Sequence, residues 1–349
     1  MGHYVVGPCH LADGTFSRKT ESPTEARSRI DEWLDKGKVF FPREAIRDIH
    51  EQLKRPLSKG DKIPVKSLDG TKLVFEVRTG ETRDIGQHRE DIGKPSIRYI
   101  SYESLRAGVE STRDYPHLIY CNLRIKHEIT FTDIETGEPA PSIAFKSLSE
   151  AERLFDTALR VWEESEVWGQ IEATLVCVAS TINIKKIVGF ACGTMVFPED
   201  TPYFSYNSAF QHAFLVTAQR LLQRRHANEV FCYVQDPAYT ERDQSVLEAH
   251  GIKVVDDPEG FLEVDESSLV FSCAPNVPVK QIIADIARPA VIIWDRVGNG
   301  NDKGHLETDP DSPRVRQVMS SFYRTLEFPH DEHFGDIAVY ARKDLGGLE

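Results

Sequence analysis

The chain has 349 residues, 40% of them hydrophobic, and a formal net charge of −13. That length accommodates one large domain or two ordinary ones, and the apolar share is enough for a real core. The acidic balance argues against a non-specific binder of nucleic acid or of an anionic membrane, since both are polyanions. It leaves room for a local basic face, although the adjacent Arg224 and Arg225 read as the solvated end of a helix. Six cysteines form no Cys-x-x-Cys pair, and four of them lie in apolar runs. They read as reduced, mostly buried thiols. No apolar run approaches the ~18 residues needed to cross a bilayer. No signal peptide opens the chain, and Val6 stands where myristoylation prefers Ser or Thr. A cytoplasmic or nuclear protein is expected.

Taken in order, residues 1–23 are polar and aperiodic and predict a mobile arm. Thr24–Leu34 predicts a short helix, and Pro42 opens a second with Ile46, Ile49 and Leu53 at helical spacing. Lys62–Val77 reads as two strands around Asp69-Gly70. Residues 79–96 are charged and glycine-containing and predict a loop, Leu118–Phe131 is extended, and Glu135–Pro141 is a turn. This N-terminal part, residues 24–143, reads as an α+β lobe. A helix then opens near Ser149, whose spacing to Glu152 fits a capping box, and Gln170–Ala179 predicts another.

From here the pattern alternates strand and helix. Lys185–Val188 leads into a glycine turn, Gly189 to Gly193. Ser208 and Gln211 suggest a second capping box before an amphipathic helix ending at Arg224. Val230–Val234 is a strand, and Thr240–His250 a helix stopped by Gly251. Ile252–Val255, Leu269–Cys273 and Ala290–Trp294 are further strands, with a helix from Pro278 between the last two. After the polar loop Gly298–Asn301, Pro313 starts a helix running to Leu326, and Asp336–Tyr340 is the final strand. Helices between short apolar strands require crossovers and a mainly parallel sheet. The expected fold of residues 144–349 is therefore α/β and Rossmann-like.

In such sheets ligands sit outside the carboxyl ends of the strands. That rule selects Gly189, Ala191, Gly193 and Thr194 after the first strand, Asp236 after the second, Ser272 and Pro275 after the fourth, and Asp295 after the fifth. Glycines allow close backbone approach, an acid can accept two ribose hydroxyls, and the fourth strand faces the reacting group. S-adenosylmethionine or a nucleotide is the ligand such a layout suits. Gly-Phe-Ala-Cys-Gly is not the full Gly-x-Gly-x-x-Gly, however, and Asp236 lies farther along than the ~20 residues at which that fingerprint places its acid. Cys192 and Cys273 fall near the same edge, where His212 is the one base near enough in sequence to serve a nucleophilic thiol; buried inert thiols are the expected reading. His330 and His333 have a spacing that could hold a metal on a helical turn, but a polar loop before the last strand is the expected reading.

Gly-x-x-x-Gly at 189–193, Ser208-x-x-Gln211-His212, Tyr233-x-x-Asp236-Pro237, the helix end Asp243 to Gly251, Leu269–Pro275 and Ala290–Val297 together resemble the domain of the plant Sensitivity to Red light Reduced proteins, in its fungal-type form. The resemblance implies a regulatory protein, in plants of light signalling and the circadian clock, with relatives linked to microtubules and haem regulation. It brings no settled enzymatic activity. Two functions are expected from the sequence: regulation through a protein partner, or a methyltransferase-like enzyme using S-adenosylmethionine or a nucleotide at the carboxyl edge.

Overall fold

The structure is a computed structural model that describes residues 3–12, 21–110, 116–141, 143–180, 182–198, 202–226, 228–298 and 308–343. The chain divides into two compact units, the first reaching Ile143 and including 308–314, the second comprising the remainder from Ala144.

The first unit contains β1 (His3–Val6), β2 (Cys9–Leu11), α1 (Pro23–Asp35), α2 (Arg43–Leu53), β3 (Lys62–Lys66), β4 (Lys72–Glu76), β5 (Thr82–Ile85), β6 (His88–Tyr99), α3 (Tyr102–Ala107) and β7 (Leu123–Asp133). Its strands form two antiparallel sheets, ordered β1-β7-β6-β5 and β2-β4-β3. α1 starts where Ser22 accepts the Glu25 N–H at 3.3 Å and returns its own N–H to the Glu25 carboxylate at 2.8 Å. This reciprocal cap satisfies donors that a helix start leaves free. Along β7, Leu123, Ile125 and His127 are buried while their neighbours are not, the period of a half-covered strand.

Two stretches of this unit differ from the sequence reading. The described part of the expected arm carries β1 and β2, and residues 13–20 lie outside the described residues. The expected loop at 79–96 is largely the hairpin β5–β6, turning at Gly86 with φ +61°. β5 is exposed along its whole length, so no alternation marks it. It is a strand because its backbone pairs with β6.

The second unit contains α4 (Leu148–Glu163), α5 (Glu166–Ala179), β8 (Lys186–Phe190), α6 (Pro202–His226), β9 (Phe231–Gln235), α7 (Glu241–Ala249), β10 (Ile252–Val254), α8 (Glu259–Glu263), β11 (Ser268–Ser272), α9 (Val279–Ile286), β12 (Val291–Asp295), α10 (Pro313–Phe322), β13 (Tyr323–Glu327) and β14 (Ile337–Arg342). Seven strands form one sheet in the order β10-β9-β8-β11-β12-β14-β13. The first five run parallel, and β14 is antiparallel to both its neighbours. From β8 the chain builds outward to β9 and β10, then returns to add β11 and β12 on the other side. The direction of winding therefore reverses between β8 and β11.

The core of this unit is the sheet with α6 laid on it. Ile187, Val188, Leu269, Val270, Phe271 and Val291 are almost wholly shielded, as strands covered on both faces must be. α6 is buried continuously from Ser208 to Gln219, and Trp162 of α4 donates its indole N–H to Thr217 at 3.0 Å. Ser208 and Gln211 are therefore interior to α6, which begins at Pro202, rather than its cap. α4 is capped by Ser147 with Glu150, two residues before the expected Ser149 and Glu152. The helix from Pro313 stops at Phe322, so Leu326 belongs to β13, and α8 had no expected counterpart.

Candidate functional site

The carboxyl ends of β8, β9, β11 and β12 lie along one edge, and they carry every site residue selected from the sequence. They fall into two groups on either side of the point where winding reverses. Gly189, Ala191, Gly193, Thr194 and Asp236 belong to the β8–β9 side. Ser272, Pro275 and Asp295 belong to the β11–β12 side.

On the first side the turn is held by the protein's own atoms. Gly193 has φ +71° and donates its N–H to an Asp236 carboxylate oxygen at 2.9 Å. The other Asp236 oxygen accepts the Ala238 N–H at 2.8 Å. Both oxygens that a ribose would need are thus engaged. Burial raises the Asp236 carboxyl above its ordinary range, and the two N–H bonds pull the other way. A Cβ on Gly193 would stand 2.5 Å from the Ser208 hydroxyl, and one on Gly189 would stand 2.9 Å from Leu215 Cδ1. The space that these glycines leave is filled by α6.

Beyond the turn, Asp243 is the hub. Its carboxylate accepts the Thr194 hydroxyl at 2.6 Å, the Met195 N–H at 2.8 Å, and the Thr240 N–H and hydroxyl at 2.9 and 2.8 Å. One buried side chain therefore caps α7 and pins the exit of the glycine turn. Asp243 was legible only as part of a helix; the spacing Thr240-x-x-Asp243 is the signal that marks its capping role. Gln235 acts similarly one strand over, donating to Asp257 at 2.9 Å and accepting the Gly260 N–H at 2.8 Å.

The thiol and its candidate base do not form a nucleophile. His212 places Nδ1 at 2.6 Å from the Ser208 carbonyl, which can only accept, so Nδ1 carries the proton. Nε2 then accepts the Tyr239 hydroxyl at 2.7 Å, and its lone pair is occupied. Burial lowers the His212 pKa to about 4. Tyr239 also bonds Cys192, whose thiol is raised well above its ordinary range by burial. Cys273 donates to the Phe334 carbonyl at 3.1 Å and is raised to about 12 by burial and then by the Asp295 charge. These are protonated thiols, and a protonated thiol is a poor nucleophile. His333 bonds Asp331 at 2.7 Å and stacks on Phe210, and no group able to hold a metal occurs among the described residues.

The second side holds two buried polar groups with no hydrogen-bond partner among the described residues. Ala274 donates its N–H to Asp295 at 3.3 Å. The Ser272 hydroxyl, at the last residue of β11, is buried with no hydrogen-bond partner, as is the indole N–H of Trp294 on β12. Ala191 and Ala274 both have left-handed backbone, φ +55° and +47°, one residue past β8 and two past β11. Side chains rarely accept that conformation, and where they do the surroundings impose it.

No curated protein matches the chain. Residues 166–341, just over half of the chain, match the SRR1 domain. That span starts at α5 and runs to the last residues of β14, so it takes in the whole seven-stranded sheet and the edge just described; this chain belongs to the SRR1 domain family.

Proposed function

We propose that this is a regulatory protein of the SRR1 type, built on a Rossmann-like domain and acting through a protein partner in the cytoplasm or nucleus. The observation that carries this reading is the bond between Gly193 and Asp236. The acid that would hold a ribose instead holds the glycine turn, while Leu215 and Ser208 occupy the room beside the glycines. The histidine nearest the edge offers no free base in this reading, because His212 is committed on both nitrogens.

A second reading rests on a different observation. The reversal of winding between β8 and β11 is where open α/β sheets bind nucleotides. It is flanked here by the two left-handed alanines and by the unpartnered Ser272 hydroxyl. In this reading S-adenosylmethionine or a nucleotide displaces Asp236 from Gly193, and the chain is a methyltransferase-like enzyme.

A thermal-shift series separates them. S-adenosylmethionine, S-adenosylhomocysteine, NAD, NADP and ATP are each tested on the full chain and on Asp236→Ala. A ligand at ~100 times its Kd adds about 2.7 kcal/mol, enough to move the midpoint by several degrees. The regulatory reading expects no shift, together with a cross-linked partner that still binds Asp236→Ala. A shift that disappears in Asp236→Ala would replace it with the second reading.

A further inference from the structure

The four-stranded sheet of the first unit has one face that runs against the charge of the molecule. β7 buries Leu123, Ile125 and His127 and turns Arg124 and Lys126 to the opposite side. β6 places Arg98 directly across from Arg124, and Ser96 across from Lys126. Tyr4 of β1 reaches over the same face: the Arg98 guanidinium carbon lies 4.8 Å from its ring centroid and the Lys126 ammonium 5.5 Å. One aromatic ring thus serves two cations.

Among the described residues Arg98, Arg124 and Lys126 form no ion pair. Arg124 donates to the Cys121 and Leu118 carbonyls at 3.0 Å each, which fixes the guanidinium without neutralising it. Glu128, the next residue on that face of β7, is exposed and makes no ion pair with them. Burial holds the Arg124 pKa below the ordinary arginine range, and the Arg98 charge adds to the effect. The Ser96 hydroxyl beside them is closed to solvent and has no partner. Like charges directly opposite one another weaken a sheet, and this chain has 55 acids against 42 bases from which a partner could have come.

We propose that this face binds a phosphate-type oxyanion, held by Arg98, Arg124 and Lys126 with the Ser96 hydroxyl as a neutral donor. Guanidinium forks match the spacing of phosphate oxygens, and a dianion removes the repulsion between the opposed arginines. The ligand is small, inorganic phosphate or the phosphate group of a small ester, because a polyanion would meet the excess negative charge of the rest of the molecule. The site is independent of the carboxyl edge in the other unit.

Calorimetric titration of the full chain tests this, with inorganic phosphate and, separately, glycerol 3-phosphate, at low ionic strength and with sodium chloride as the matched control. Binding with Kd near or below about 1 mM is expected for at least one probe. The tighter of the two identifies the free ion or the ester as the source. Arg98→Gln and Lys126→Gln should each weaken binding at least ten-fold, while Arg98→Lys loses less. Glu128→Gln, an exposed change that leaves the sheet intact, should tighten binding by two- to three-fold. No heat from either probe at about ten times that Kd, or affinity unmoved by Lys126→Gln and Glu128→Gln, overturns the proposal.

Discussion

Asp243 offers the sharpest test of how the glycine turn is held. Its carboxylate serves two backbone N–H groups and two hydroxyls, and it is fully buried. Asp243→Asn replaces one acceptor oxygen with an NH2. If that NH2 takes the position facing Thr194 and Thr240, the hydroxyls can rotate to accept from it, but the Thr240 N–H is stranded. If it takes the other position, the enclosed Met195 N–H is stranded instead. Either orientation leaves one donor unmet, at about 1–3 kcal/mol. Asp243→Ala strands both and should cost about 3–5 kcal/mol. Urea unfolding followed by tryptophan fluorescence suits this measurement, because Trp162, Trp168 and Trp294 all lie buried in the second unit. With a slope near ~2 kcal/mol per M, the Asn variant should lower the midpoint by roughly 0.5–1.5 M. A midpoint within about 0.2 M of the parent would mean that the turn stands without this hub.

Three other outcomes follow from the same structure. Gly193→Ala must place a side chain at φ +71° with its Cβ 2.5 Å from the Ser208 hydroxyl; a loss of about 2 kcal/mol or more is expected by urea unfolding, and a neutral result would refute the close fit. Ala191→Gly and Ala274→Gly go the other way. Relief of about 1 kcal/mol of left-handed strain offsets the roughly 0.4–1 kcal/mol gained by the freer unfolded chain, so each midpoint should stay near that of the parent; a clear loss would contradict the strain. His212 and His127 are both lowered to about 4, in each case chiefly by burial. Their folded pKa lies below the ordinary 6.5, so the unfolded chain takes the proton first as pH falls. Stability is therefore full above pH 6.5 and declines toward pH 4, by up to about 3 kcal/mol per histidine. Urea midpoints from pH 7.5 to 4.5 check this, and in His212→Gln the decline of the second unit should be shallower.

The parallel strands were legible because burial on both faces forces continuous apolar runs, as in Ile187-Val188, Leu269–Phe271 and Val291–Ile293. β5 and β1 were not, because their strand character comes from pairing with β6 and β7 rather than from any burial of their own side chains. Ser147 and Ser149 both stand three residues before a glutamate, and only the path by which the chain enters α4 decides between them. The positions of the candidate site were readable from the turns that end each strand. What they do was not: Gly193 and Asp236 are 43 residues apart, and no local pattern says that they bond to each other rather than to a ligand. A similar separation, 49 residues from Thr194, concealed Asp243, whose partners come from both its own helix cap and the turn that follows β8.

The place of β14 has a consequence for biosynthesis. Of the seven strands of this sheet it comes last along the chain, yet it lies inside the sheet, between β12 and β13. Until residues 337–342 have left the ribosome, β12 presents an open edge of Val291 to Asp295, and β13 has no partner at all. Every nascent chain therefore passes through a state with exposed hydrogen-bonding edges that invites association with other chains. A message truncated ahead of these residues would leave the protein permanently in that state. Chaperone dependence should accordingly concentrate in the interval before residues 337–342 emerge, and a premature stop ahead of Ile337 should yield aggregate rather than a shortened but soluble protein.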